Sequence, residues 1–170
     1  MTVGIHFTAP DIVDCIGPLI FLAGPIQGAA DWQEDAKRML RARVPSVHVA
    51  SPRRPQRTFG DFGTEQYAEQ VDWEHRYLAL AAGQGVILFW LAREFQHSCE
   101  RAYAQTTRFE LGEAVTLHRL GGTRVVVGIE AGYTGAKYVR HTLARKAPNI
   151  PLRETLSGTC EAAAILIEND

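Results

Sequence analysis

Two glutamates stand where this sequence could do chemistry. Glu110 lies in Thr106-Thr107-Arg108-Phe109-Glu110-Leu111-Gly112-Glu113-Ala114, at the start of a helix expected after an apolar run. A carboxylate in a first helical turn meets unpaired N–H groups and the positive end of the helix dipole, which favour its ionised form. An ionised carboxylate at the ligand end of a sheet can attack an anomeric carbon. Ala114 and Leu117, one and two turns on, place Glu110 beside the apolar stripe. The same residues also read as a capping box, Thr107-x-x-Glu110, in which the glutamate only reaches back to the Thr107 backbone N–H. Spacing alone favours the cap. Gly112 points the other way, because a mid-helix glycine costs about 1 kcal/mol and suits a close approach.

Glu74 is the second carboxylate. In a helix over 65–82 it shares a face with Tyr67, Val71, Leu78 and Ala81. A charge on such a stripe is costly unless it is paired or opens on a cavity. Asp72 points elsewhere and can pair with Arg76 at i+4. The stretch Ser51-Pro52-Arg53-Arg54-Pro55 is locally basic, with no acid between Asp35 and Asp61. Arg53 or Arg54 can fork onto a phosphate or carboxylate; a solvated loop is an equal reading. Gly24-Pro25 admits close approach of a ligand or a plain turn. Trp32, Trp90 and Tyr103 carry rings able to stack on a base or simply to pack. No GxGxxG or Walker pattern occurs, and Gly128–Gly135 is too irregular for either.

Nothing in the sequence calls for a metal or cofactor. The three cysteines, Cys15, Cys99 and Cys160, form no CxxC pair, and the six histidines fall in no HxxxH or HExxH pattern. His97 and Cys99 are two lone ligands, short of a site.

The elements that must position these residues follow from hydrophobic patterning. Leu19–Gly24, Ser46–Ala50, Val86–Leu91 and Thr123–Gly128 read as strands, the longer ones apolar on both faces as a parallel sheet requires. Helices are expected over 30–43, 65–82, from about Arg108, and over 135–146. A short strand and a last helix through Ala162–Ile167 close the chain, and residues 1–17 read as a loose arm. Strands alternating with helices predict a three-layer flavodoxin-like (Rossmann-like) α/β fold with a mainly parallel sheet of about five strands. Right-handed crossovers gather the loops 24–30, 51–65, 91–107 and 128–135 at one end of that sheet, where ligands bind.

The length of 170 residues suits one domain spanning the whole chain. A net charge of −1 offers no general attraction for a nucleic-acid polymer or an anionic membrane. No run is long enough for a membrane span, and the N-terminus lacks the basic head and apolar run of a signal peptide. With no disulfide framework either, a cytoplasmic location is expected.

Five pieces in order resemble the nucleoside 2-deoxyribosyltransferase-like family. They are Phe21-Leu22-Ala23-Gly24-Pro25-Ile26, Ser51-Pro52-Arg53-Arg54, Gln70-Val71-Asp72-Trp73-Glu74, Val86-Ile87-Leu88-Phe89-Trp90 and Phe109-Glu110-Leu111-Gly112. The resemblance implies that Glu110 is the nucleophile and that Glu74 holds the sugar or handles the proton of the base. Phe21 stands where the family often has a tyrosine. The expected reaction is cleavage or transfer of the N-glycosidic bond of a nucleoside or its 5′-monophosphate, through a glycosyl-enzyme intermediate. Substrate contacts are then expected from Phe21, Gly24, Pro25, Ile26, Arg53, Arg54, Trp90, Tyr103 and Arg108, with Tyr103 or Arg108 fixing the nucleophile. The resemblance is also compatible with a homo-oligomer. Two other readings stay open: a non-catalytic nucleotide sensor and a glycohydrolase acting on NAD.

Overall fold

The four apolar runs all become strands. A computed structural model describes residues 3–55 and 64–169. Its elements are β1 (His6–Thr8), β2 (Leu19–Ala23), α1 (Trp32–Arg43), β3 (His48–Ser51), α2 (Thr64–Gln84), β4 (Val86–Leu91), α3 (Gln105–Gly121), β5 (Val125–Ile129), α4 (Ala136–Lys146), β6 (Leu152–Arg153) and α5 (Leu156–Glu168). The six strands form one all-parallel sheet in the order β1-β3-β2-β4-β5-β6.

Both faces of the sheet are covered, which is why its strands are apolar on both sides. Phe21, Ile87, Phe89, Leu91, Val125 and Val127 pack on one face against α2, α3 and α4. Ile20, Leu22, Val49, Val86, Leu88 and Trp90 pack on the other against α1 and α5. The order β3-β2-β4-β5-β6 is that of the flavodoxin-like fold, with β1 added at the edge. Chain direction across the sheet switches between β2 and β4, and their carboxyl ends flank the crevice where such folds take ligands.

The N-terminal segment is not the loose arm expected from its composition, and the sheet has six strands rather than about five. β1 pairs with β3, aligning His6 with Val49 and Thr8 with Ser51. The residues after it run along α2, held by hydrogen bonds from Trp73 Nε1 to the Asp11 carbonyl (2.8 Å) and from Tyr77 Oη to that of Val13 (3.0 Å). Val13 N–H donates back to Tyr77 Oη at 2.6 Å, and Gln84 Nε2 reaches the Gly17 carbonyl at 2.8 Å. Arg76 pairs with Asp14 across this contact rather than with Asp72. The aromatic cluster beneath it, Phe7, Trp73 and Tyr77, has ring centroids 4.6–6.0 Å apart. That cluster also shows which side of α2 is its core face. Trp73, Tyr77 and Ala81 are buried there, whereas Tyr67 is exposed.

Candidate active site

β2 ends in a turn that its neighbours leave no room to vary. A Cβ at Gly24 would lie 2.3 Å from the Trp90 carbonyl oxygen and 2.7 Å from the Trp32 ring. Glycine is therefore required by close packing of the chain itself. Trp32 Nε1 donates to the Pro25 carbonyl at 3.0 Å. Gly28 lies in the left-handed region at φ +78°, and its carbonyl accepts from Phe95 and Gln96 N–H at 2.7 and 3.0 Å. The loops after β2 and β4 are thus laced together over the crevice.

Arg53 completes this lacing from the third loop. Its Nε donates to Gln33 Oε1 at 2.8 Å, and its guanidinium also reaches the carbonyls of Ile26 and Ala30, both at 3.0 Å. Carbonyls in a turn with no ladder partner need donors, and a buried fork supplies several at once. Arg54 also turns inward, to Gln70 Oε1 at 2.8 Å and Glu69 at 2.7 Å. Residues 56–63 of the expected loop 51–65 lie outside the described residues.

Trp90, expected as a stacking ring, points to the α1/α5 face, where it packs under Gly128. The two glutamates are on the opposite side of the sheet. Phe21 is on their side but fully buried against Trp73, with ring centroids 6.1 Å apart. Ile26 is half-buried.

α3 enters over a strained residue. Ala104 is its N-cap with φ 54° and ψ 32°, a left-handed conformation costly for alanine. The helix starts at Gln105, three residues earlier than expected, so Thr107 is inside it and buried. The capping box is therefore not formed, and Glu110 stands in the second turn, beyond the favourable reach of the dipole. The expectation that the helix end keeps Glu110 ionised is overturned. Burial first, then the charges of Glu74 and Glu113, push the Glu110 carboxyl up to about 8. Gly112 does not mark a close approach, since a Cβ there would meet open space.

Glu74 on α2 lies near enough to Glu110 on α3, across the groove between those helices, for its charge to act on Glu110. Glu74 is raised as well, mainly by burial, against the lowering effect of its hydrogen bond from Gln70 and of His75 and Arg54 nearby. A cavity of about 130 Å³ runs down from Glu110, lined by His75, Leu78, Ala82, Glu113 and Leu117 among others. It has room for only part of a nucleoside-sized molecule. Neither Tyr103 nor Arg108 fixes Glu110. Tyr103 Oη donates to the Ala92 carbonyl at 2.7 Å, and Arg108 reaches Tyr133 Oη and the Thr134 carbonyl, both at 3.5 Å. Among the described residues, the Glu110 carboxyl receives no hydrogen bond.

Sequence reasoning missed Gln70, His75 and Glu113. A signal existed for two of them: Gln70 precedes Glu74 by one helical turn, and Glu113 follows Glu110 by three residues.

A six-stranded parallel sheet with two acids beside its ligand end defines a flavodoxin-like α/β protein. Its sequence matches the family model described as "Nucleoside 2-deoxyribosyltransferase like" over residues 17–133, and the chain belongs to that family. No curated protein matches the sequence. Among solved structures, the fold is similar to that of a crystal structure of a conserved protein from Enterococcus faecalis V583. The TM-score is 0.52 at 12% identity, covering 89% of this chain and 99% of the other.

Proposed function

We propose that the protein cleaves or transfers the N-glycosidic bond of a nucleoside, with Glu110 as nucleophile and Glu74 as the acid that serves the leaving base. The observation that carries this reading is the pairing of two half-buried carboxyls across one groove, with the charge of Glu74 adding to burial in raising Glu110. Burial holds a proton on Glu110 up to about 8, so Glu110 must release that proton before it attacks, and Glu74 must carry one to donate to the leaving base. In the reaction the C1′–N bond breaks as the Glu110 oxygen closes on C1′, and the departing nitrogen takes its electron pair and the proton of Glu74. The glycosyl ester on Glu110 then passes the sugar to a second base or to water.

Arg53 and Arg54 are engaged with backbone carbonyls, Gln33, Gln70 and Glu69. That favours an unphosphorylated nucleoside over a 5′-monophosphate. Incubation with nucleosides, deoxynucleosides and their 5′-monophosphates, with and without a second free base, tests both parts by chromatography. Release of base, and a new nucleoside when a second base is added, are the expected results. Survival of every substrate overturns the catalytic reading. A strict requirement for the 5′-phosphate overturns the substrate preference.

A further inference from the structure

The groups around Glu74 assign it a direction, and the residue that sets it is Gln70. Gln70 is buried on α2, one turn before Glu74. Its three hydrogen bonds leave its amide no second orientation. Arg54 Nε–H, which can only donate, lies 2.8 Å from Oε1, so that atom must be the carbonyl oxygen. The Pro52 carbonyl, which can only accept, lies 2.9 Å from Nε2, so that atom must be the NH2 group. The second N–H of Nε2 then points to Glu74 Oε1 at 2.8 Å. A donor facing Oε1 disfavours a proton on that oxygen, because the carbonyl oxygen of a neutral carboxyl accepts better than its hydroxyl oxygen. When Glu74 is protonated, this bond favours the proton on Oε2.

We propose that Gln70 is a positioning residue: anchored by Arg54 and Pro52, it confines the Glu74 proton to Oε2 and so fixes the atom that protonates the leaving base. The inference deepens the glycosidic reading above and rests on it. Besides Gln70, Arg54 from the loop after β3, paired with Glu69, and His75 on α2 act on this carboxyl, and Glu110, on which Glu74 itself acts, faces it from α3. Of these, only Gln70 is hydrogen-bonded to the carboxyl. Arg54 acts through it, holding the amide against rotation. Losing the Gln70 donor removes a bond that stabilises the ionised form, so the Glu74 carboxyl must titrate higher without it.

The test compares wild type with Gln70→Met, which keeps the shape and loses the bonds. Gln70→Glu, which keeps an acceptor for Arg54, serves as a second variant should Gln70→Met fail to fold. Each is assayed on a nucleoside with an ordinary base and on a 4-nitrophenyl 2-deoxyriboside, whose leaving group needs no proton. The expected result is a loss of at least tenfold in kcat on the nucleoside, with KM within threefold and the nitrophenyl rate within threefold of wild type. The pH limb belonging to the proton donor should also move upward. Equal slowing of both substrates, or no slowing of either, overturns the proposal. Should wild type cleave neither, the glycosidic reading itself fails. Carbon-13 NMR titration of Glu74 then decides the Gln70 part alone, since the same midpoint in both proteins overturns it and a higher one in the variant upholds it.

Discussion

Replacing Glu110 with glutamine should make the protein more stable in alkali, although it removes the proposed nucleophile. The ordinary pKa of this side chain is 4.5, and in the folded protein it is pushed up to about 8. Between those values the folded chain holds a proton that the unfolded chain has released. Stability must therefore fall as pH rises through this window, by about 1.4 kcal/mol per pH unit at most. Water entry and relaxation of the groove soften that slope, leaving a loss on the order of 3 kcal/mol between pH 5 and pH 8. Glu110→Gln removes the titration and the repulsion of Glu74 together. Urea unfolding at pH 5 and pH 8 reads the difference. With a slope of about 2 kcal/mol per molar urea, the wild-type midpoint should fall relative to the variant by roughly 1.5 M. Comparing slopes rather than absolute values cancels the titrating groups that are not coupled to Glu110, including His6, whose pKa is lowered to about 4 by burial and by Arg41 and Lys37. Parallel pH dependences for the two proteins would refute the burial and repulsion assigned to Glu110.

Other perturbations probe the frame around the site. Arg53→Met removes the donors that hold the Ile26 and Ala30 carbonyls and should cost about 2–3 kcal/mol. Limited proteolysis should then cut within 24–31, and an uncut, equally stable variant would show that the lacing is dispensable. Tyr77→Phe removes the hydroxyl that both donates to and accepts from Val13, at about 1–2 kcal/mol. Hydrogen exchange should then speed up in residues 9–17, whereas unchanged protection there would mean that the segment is held by other contacts. The folded-state His6 ring, depressed to about 4, should stay neutral in an NMR titration down to pH 5. A ring midpoint near 6.5 would contradict its burial beside Arg41 and Lys37.

The central sheet was legible because burial on both faces writes itself as unbroken apolar runs, as in Leu19–Ala23 and Val86–Leu91. β1 was not, because His6-Phe7-Thr8 has a single core residue and gains its place only by pairing with β3. The start of α3 was missed for a different reason. Its entry is set by Ala104 in a left-handed conformation, which alanine does not advertise, so Thr107 looked like a cap. The wrong helix start carried over into the wrong ionisation state for Glu110. Arg53 and Arg54 read as a basic loop, ligand-binding or solvated, because a sequence shows charge but not the turn carbonyls and the Gln33 and Gln70 side chains that draw it inward. Trp90 illustrates the period-2 rule: one residue along the strand from Phe89, it faces the other side of the sheet. The meeting of Glu74 with Glu110 depends on how α2 and α3 lie side by side, and spacing within either helix does not encode it.

The most direct test of the account is mass spectrometry of the protein quenched during incubation with a slow deoxynucleoside substrate. A peptide containing Glu110 that gains the mass of the sugar, and loses it when a free base is added, is the predicted result. Base release without any adduct, or an adduct that persists in Glu110→Gln, would contradict the assignment of Glu110 as the nucleophile.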